Sequence, residues 1–367
     1  MTPREATGAE DRTGREPARP DAAAWARALG ISVEAVELYL ETDVLDLHLD
    51  SFIWTRIFGY DLHRRHHGGL LGHRFYGQVD LPRVLEAGMT GATWVVTTNP
   101  WRRARRRFPV LLANLTRLRG ILEAHPRVAV VRTAAEYREA RAGGLHGAFL
   151  GIQGGQALDG EPDAVERLPA GDVLRVTLVH FTPSRIGVSS APGTRLGRRG
   201  LTAFGRELVR RLEARRILVD LAHIDRDGFF DAVRVHDPSR PLLVTHTGVA
   251  AVHPHWRNLD DAQLRAIADS GGTVGVMFQS SFLGDPTWRG RCETVARHLV
   301  HIVRTVGEDH ASLGSDWDGA IVPPRDLRSP LELPRLVDRL LRAGLGERAI
   351  RKILGRNFLR VVEQVRG

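Results

Sequence analysis

Histidine and aspartate side chains recur in matching settings along the sequence. His48 and Asp50 close the segment DLHLD, His180 ends TLVH, His223 ends VDLAH, and His246 ends LVTH. Asp316 lies in GSDWDG, with Asp318 further out. Each follows a short apolar run. His48 and Asp50 are two residues apart, so in a strand their side chains leave on the same side. Neutral imidazole nitrogens and carboxylate oxygens together suit Zn2+ or a similar divalent ion. His48, Asp50, His223 and His246 are therefore the candidate metal ligands. Gln153, which closes the run in GIQGG, presents an amide in the same setting. A bound divalent ion activates water at neutral pH. Asp316 is placed to accept and pass on a proton, and His180 to polarise a carbonyl or hold a developing oxyanion. Arg257, in HWRNLDD, can offer a substrate carboxylate two parallel hydrogen bonds. Taken alone it reads as an ordinary helix-capping or surface arginine. His63, His66, His67 and His73 fall in the loop after the first run, and His253 and His255 flank Pro254. These are expected to be solvated or to pack loops.

Something must bring such distant residues to one place, and the sequence suggests what. Eight short runs, rich in Val, Ile and Leu, read as strands: Val44–Leu49, Ala92–Thr97, Ala148–Ile152, Leu174–Val179, Ile217–Ala222, Leu242–Thr245, Thr273–Phe278 and Ser312–Gly314. Near-continuous apolar character fits strands covered on both faces. Helix-like segments separate most of them, such as Phe204–Arg215 and Leu259–Asp269; the latter carries acids in its first turn and Gly271 and Gly272 past its end. The pattern predicts an α/β fold, one (β/α)8 TIM barrel over residues 23–367, whose chemistry belongs at the C-terminal ends of the strands. A doubly wound open sheet is the alternative, but no GxGxxG or P-loop pattern follows the first run. Residues 1–22, polar and rich in Pro, Gly and Ala, read as a disordered tail.

Composition narrows the classes further. The chain has 367 residues, 43% hydrophobic and 26% charged, which excludes collagen, coiled coil and wholesale disorder. No stretch of 18 apolar residues predicts a transmembrane helix, and the N-terminus has no apolar run for a signal peptide. The single cysteine, Cys292, excludes an internal disulfide and fits a reducing compartment, so a cytoplasmic location is expected. The net charge of +9 suggests nucleic acid at first sight, yet Lys352 is the only lysine and the other 51 of 52 basic residues are arginine. Such a bias reads as genomic. The densest run, Arg102 to Arg107, is expected to be a solvated helix face. No basic stripe with interleaved stacking aromatics is present, so neither nucleic acid nor membrane is an expected partner.

The segments DLHLD, GIQGG, TLVHFTP, GLTAFGRELVRRL, VDLAHID, VTHTGVAAV, RNLDDAQLRAIADSGGTVGVMF, GSDWDG and ILGRNFLRV resemble, in order, those of the membrane (renal) dipeptidases, the M19 metallopeptidases of the amidohydrolase superfamily. The His-x-Asp opening is particular to that branch. The resemblance implies a binuclear zinc site that cleaves dipeptides, often with a D-residue on the C-terminal side. It implies that His48 and Asp50 hold one metal, His223 and His246 the other, and that Asp316 is the acid/base. It implies that His180 and Arg257 bind substrate, Arg257 through its carboxylate. A small dipeptide-like substrate is thus the expected partner. The resemblance allows a homodimer, and no residue pattern fixes the oligomeric state.

The family pattern reads EGGH where this chain reads Gln153-Gly-Gly-Gln156. The resemblance makes that glutamate the bridge between two metals. Gln153 is neutral, and its amide nitrogen is a donor that cannot ligate. Two divalent ions in one site need anionic bridging to offset their repulsion. One tightly held metal at His223/His246, with weak or altered dipeptidase activity, is therefore expected. Two alternatives accompany this reading: a mononuclear amidohydrolase acting on another amide, lactam or lactone, and a catalytically silent binding protein that keeps the pocket.

Overall fold

A computed structural model describes residues 21–68, 72–193 and 197–367. The expected N-terminal tail lies outside the described residues up to residue 20. Of its last two residues, Ala22 opens a helix, Ala22–Leu29, and Asp21 caps that helix by accepting hydrogen bonds from the amides of Ala23 and Ala24.

Nine parallel strands are found among the described residues: β1 (Leu45–Leu49), β2 (Gly91–Thr97), β3 (Val128–Val130), β4 (His146–Gln153), β5 (Val173–Thr177), β6 (Leu218–Asp220), β7 (Leu243–Thr247), β8 (Thr273–Val276) and β9 (Ala311–Leu313). The order runs β2-β1-β9-β8-β7-β6-β5-β4-β3, and β2 also pairs with β4. That pairing, from Gly91↔Gly147 to Thr97↔Gln153, closes eight strands into a ring. The fold is a (β/α)8 barrel, and each of the eight apolar runs supplies one barrel strand. β3 is the addition. It pairs with β4 at Val128↔His146 to Val130↔Ala148, below the stretch where β5 takes over from Leu150 onward.

Apart from two half-buried residues in β3, every strand residue is buried, as expected when helices cover the outside and side chains fill the inside. Barrel interiors are usually apolar, and here the starting end of the strands is. Leu45, Leu218 and Leu243 cluster there with Phe358, Val361, Val362 and Val365 of the helix Asn357–Arg366. Higher up, the interior turns polar, with Asp46, His48, Arg175, Thr177, Asp220 and Thr245 all buried. A larger apolar cluster joins the strands to the surrounding helices.

Helix starts follow the side chains that satisfy their free amides. Asp260 forms a capping box with Gln263, so the helix expected from Leu259 begins at Asp261. Thr202 caps Ala203–Ala214 in the same way through the Gly205 amide. Two glycines let β7, β8 and β9 come together. A Cβ on Gly275 or Gly314 would lie 2.0 or 1.7 Å from the Thr245 carbonyl oxygen.

Candidate metal centre

His48 lies within β1 and Asp50 one residue past it, with Asp50 N donating to the Trp317 carbonyl at 3.0 Å. Gln153 ends β4 and His246 lies inside β7. His180, His223 and Asp316 each stand three residues beyond the last residue of β5, β6 and β9. The backbone there is no longer extended, and His223 (φ 68°) and Asp316 (φ 61°) are left-handed. Such conformations cost energy in non-glycine residues and are enriched at functional sites, though Arg216 and Ala320 adopt them here as well. All these side chains are buried.

The residues converge. One ligand atom each from His48, His246 and Asp316 lies within 4.8 Å of the others. His48 Nε2 is 3.3 Å from Asp50 Oδ2 and 3.7 Å from Asp316 Oδ1. His223 Nε2 and His246 Nε2 are 2.8 Å apart. Burial holds both of these rings well below the ordinary histidine pKa, so both are neutral and have lone pairs to offer. The Gln153 amide nitrogen donates to Asp50 Oδ2 at 3.2 Å and to His180 Nε2 at 3.1 Å.

The hydrogen bonds behind the rings set their tautomers. Thr245 Oγ1 donates to Asp220 Oδ2 at 2.7 Å, so it accepts from His246 Nδ1 at 2.9 Å. His246 therefore carries its proton on Nδ1 and keeps the Nε2 lone pair for a cation. His48 is held the opposite way. The Arg175 Nη2 donates to His48 Nδ1 at 2.7 Å, which leaves the ring proton on Nε2. That Nε2 is buried and faces Asp50 Oδ2 at 3.3 Å, so its proton points at a carboxylate.

Arg175 was not among the residues singled out from the sequence. It reaches from β5 across the ring to the Leu47 carbonyl of β1 and to Asp220 of β6, at 3.2 and 3.1 Å. A guanidinium inside an apolar strand run can be buried only when paired. The Asp of VDLAH was the matching sign. Thr97 was also missed; its hydroxyl donates to Asp50 Oδ1. Asp318, expected at the rim, instead ties the preceding loop down by accepting from Ser51 Oγ at 2.5 Å and Gln78 N at 2.8 Å.

Burial pushes the Asp316 carboxyl well above the usual range; Asp50 adds to this, and Arg257 opposes it. His180 falls to about 3 through burial. Arg257 is lowered to about 10 by burial, against the pull of Asp316. Its Nη2 donates to the His246 carbonyl at 2.8 Å, while its Nε is buried without a partner among the described residues. Of the loop histidines, His63 bonds the Ile121 carbonyl at 2.8 Å and His66 the Asp61 carbonyl at 2.7 Å. His73 bonds the Gly77 carbonyl at 2.5 Å.

The donor set fits a divalent ion best around His246, where imidazole and carboxylate meet with a free lone pair. A barrel with such a rim at the ends of its strands defines a metal-dependent hydrolase. The chain belongs to the membrane dipeptidase family, peptidase family M19, whose model matches residues 33–367. A Klebsiella pneumoniae protein described as an uncharacterized protein in the pqqA 5′ region is 34% identical over 65% of this chain and 89% of its own length. The dipeptidase tcpJ of Claviceps purpurea is 30% identical over 53% of this chain, but only 45% of tcpJ is covered. Among solved structures, a Rhodobacter sphaeroides metallopeptidase liganded with a phosphinate mimic of the dipeptide L-Ala-D-Ala superposes with a TM-score of 0.79 at 30% identity, over 88% of this chain and 99% of that one. An M19 dipeptidase superposes at 0.78 and 31% identity, over 88% and 98%. No helix among the described residues is long and apolar enough to cross a membrane.

Proposed function

We propose that this dipeptidase-like hydrolase opens the amide bond of a dipeptide, or of a similar small substrate bearing a carboxylate. The observation that carries the reading is the meeting of His48, His246 and Asp316 at one rim, with Arg257 buried beside them. The phosphinate dipeptide mimic bound by the Rhodobacter relative supports substrates of that size.

A divalent ion, zinc in this reading, supplies Lewis-acid activation of the amide carbonyl and of water. The chain's own residues do the rest. Arg257 takes the substrate carboxylate, and its unpartnered Nε is the donor available for it. His180 accepts from Gln153 at Nε2, so its proton sits on Nδ1, which is buried and unpartnered. That N–H is the donor for the carbonyl oxygen as negative charge develops on it. Asp316, as the carboxylate, takes a proton from water and returns it to the leaving amine.

One ion is held tightly, by His223 and His246. Three features weaken the His48/Asp50 position: Gln153 brings no charge, its amide already donates to Asp50, and Arg175 fixes the wrong His48 tautomer while adding a buried cation. Dipeptidase activity is correspondingly weak or altered. The test is a panel of L,L and L,D dipeptides offered to protein loaded with Zn2+, Mn2+ or Co2+. Turnover that Asp316→Asn lowers by at least about a hundredfold is expected. Turnover unchanged in that variant would overturn the assignment of Asp316. No turnover with any metal, beside saturable ligand binding, would make the chain a silent binding protein.

A second reading has its own support. Gln153 Oε1 and both amide atoms of Gln156 are buried without partners among the described residues. Uncharged amides there favour a neutral hydrogen-bonding group on the substrate, as in another amide, a lactam or a lactone hydrolysed with one ion. A homodimer in the cytoplasm completes the proposal. The lone cysteine supports the compartment, since Cys292 is buried and no disulfide can form within the chain.

A further inference from the structure

The arginine run from Arg102 to Arg107, expected to be a solvated helix face, divides in the structure. Arg103, Arg105 and Arg106 are exposed, whereas Arg102 and Arg107 are half-buried. These two line a pocket with Arg56, between the end of β2 and the helices Phe52–Phe58 and Ala104–Glu123. The pocket is shallow: its space comes to about 260 Å³ with the solvent at its mouth counted, and the enclosed part has room for about one water. Thr98, Asn99 and Asn114 complete its polar lining.

The charges are poorly balanced. Arg56 donates through Nη2 to the Thr97 carbonyl at 2.7 Å, and its Nε is buried without a partner. Neither Arg56 nor Arg102 has an ion-pair partner among the described residues. Arg107 touches one carboxylate, Asp159, at 3.4 Å, and spends its other nitrogens on the carbonyls of Arg102 and Pro100. A fourth arginine, Arg117, lies with Arg56 over the Phe52 ring. Asp50 offsets part of the Arg56 charge from the far side of Thr97, and the remaining positive charges, only partly screened by solvent, repel one another unless an anion sits among them. Guanidinium groups match the oxygens of carboxylates and phosphates with paired hydrogen bonds.

We propose that the mouth of this pocket binds a small oxyanion, the carboxylate or phosphate group of a ligand, at a site separate from the carboxylate position at Arg257. Thr97 stands between the pocket and the candidate metal ligand Asp50: its carbonyl accepts from Arg56, and its hydroxyl donates to Asp50.

The probes are inorganic phosphate and acetate, titrated into the metal-loaded protein at constant ionic strength against chloride, with calorimetry and melting temperature as readouts. Saturable heat and a rise in melting temperature are expected with at least one of them. A response to phosphate alone assigns phosphate-bearing ligands; a response to both extends the assignment to carboxylates. Arg56→Gln and Arg102→Gln should each weaken binding by about tenfold, the effect of losing one charge-assisted hydrogen bond. Arg102 is half-exposed, so its variant keeps the test sound if Arg56→Gln fails to fold. A variant with His223→Ala and His246→Ala should bind the anion as the parent does, which separates this pocket from an anion held by the metal. Absence of binding to either probe, equal binding in the arginine variants, or loss of binding in the histidine variant would each overturn the proposal.

Discussion

His48 and His246 are the same residue type a few ångströms apart, with ring centroids separated by 4.0 Å, yet their partners make them unequal candidates for holding a metal. Thr245 leaves His246 with a free Nε2 lone pair, whereas Arg175 denies one to His48. Groups behind a ligand commonly change metal affinity by about 10–100-fold. Without Arg175, Asp220 still accepts from the Thr177 and Thr245 hydroxyls and from the Ala222 and Thr245 amides, so the informative variant is Arg175→Met alone, which leaves the Thr245–His246 pairing in place. It should tighten binding of a second ion at His48/Asp50 by about tenfold, measured by equilibrium dialysis. Second-ion affinity that stays unchanged or falls would show that Arg175 only fills space.

At the level of strands and helices, most of the architecture could be read from the sequence. Strands covered on both faces need apolar side chains almost throughout, and the eight runs were visible for that reason. β3 was missed although β6 and β9 are just as short: it lies outside the ring, two of its three residues are only half-buried, and Pro126, Arg127 and Arg132 interrupt the apolar pattern around it. Positions of the candidate site residues were legible to within a few residues, but not the way they are held. His223 and Asp316 project from left-handed backbone past the strands, and pattern reading carries no signal for that. Arg175 and Asp220 pair across 45 residues of sequence, and Asp46 accepts from the Ser315 amide across 269. Such partners become evident only once the ring is closed. Closure itself depends on close backbone approach. Gly314 lies two residues before Asp316 and against the Thr245 carbonyl, next to His246. Gly314→Ala should cost roughly 1–3 kcal/mol in chemical denaturation and lower metal affinity as the strands part. A loss below about 0.5 kcal/mol would mean that the strands shift freely, against the rigid rim described here.

For the molecule as a whole, the barrel also keeps histidines neutral outside the candidate metal ligands. His146 accepts from Trp94 Nε1 at 3.1 Å and bonds the Met89 carbonyl through Nδ1 at 2.9 Å. His298 accepts from the Val249 amide at 2.8 Å and bonds the Leu283 carbonyl at 3.1 Å. Burial lowers each to about 4. Their folded pKa lies below the unfolded value, so the stability they contribute is complete above about pH 6.5 and is lost as pH falls toward 4. NMR titration should find both rings neutral above about pH 5; a midpoint near 6.5 for either would contradict the hydrogen bonding described. The binding capacity of the whole protein bears most directly on the central claim, that Gln153 and Arg175 leave a one-ion hydrolase. Metal content of the purified chain, loaded with zinc and dialysed to equilibrium, should come to one equivalent, rising to two in Gln153→Glu. Two equivalents retained by the unaltered chain, or none, would contradict it.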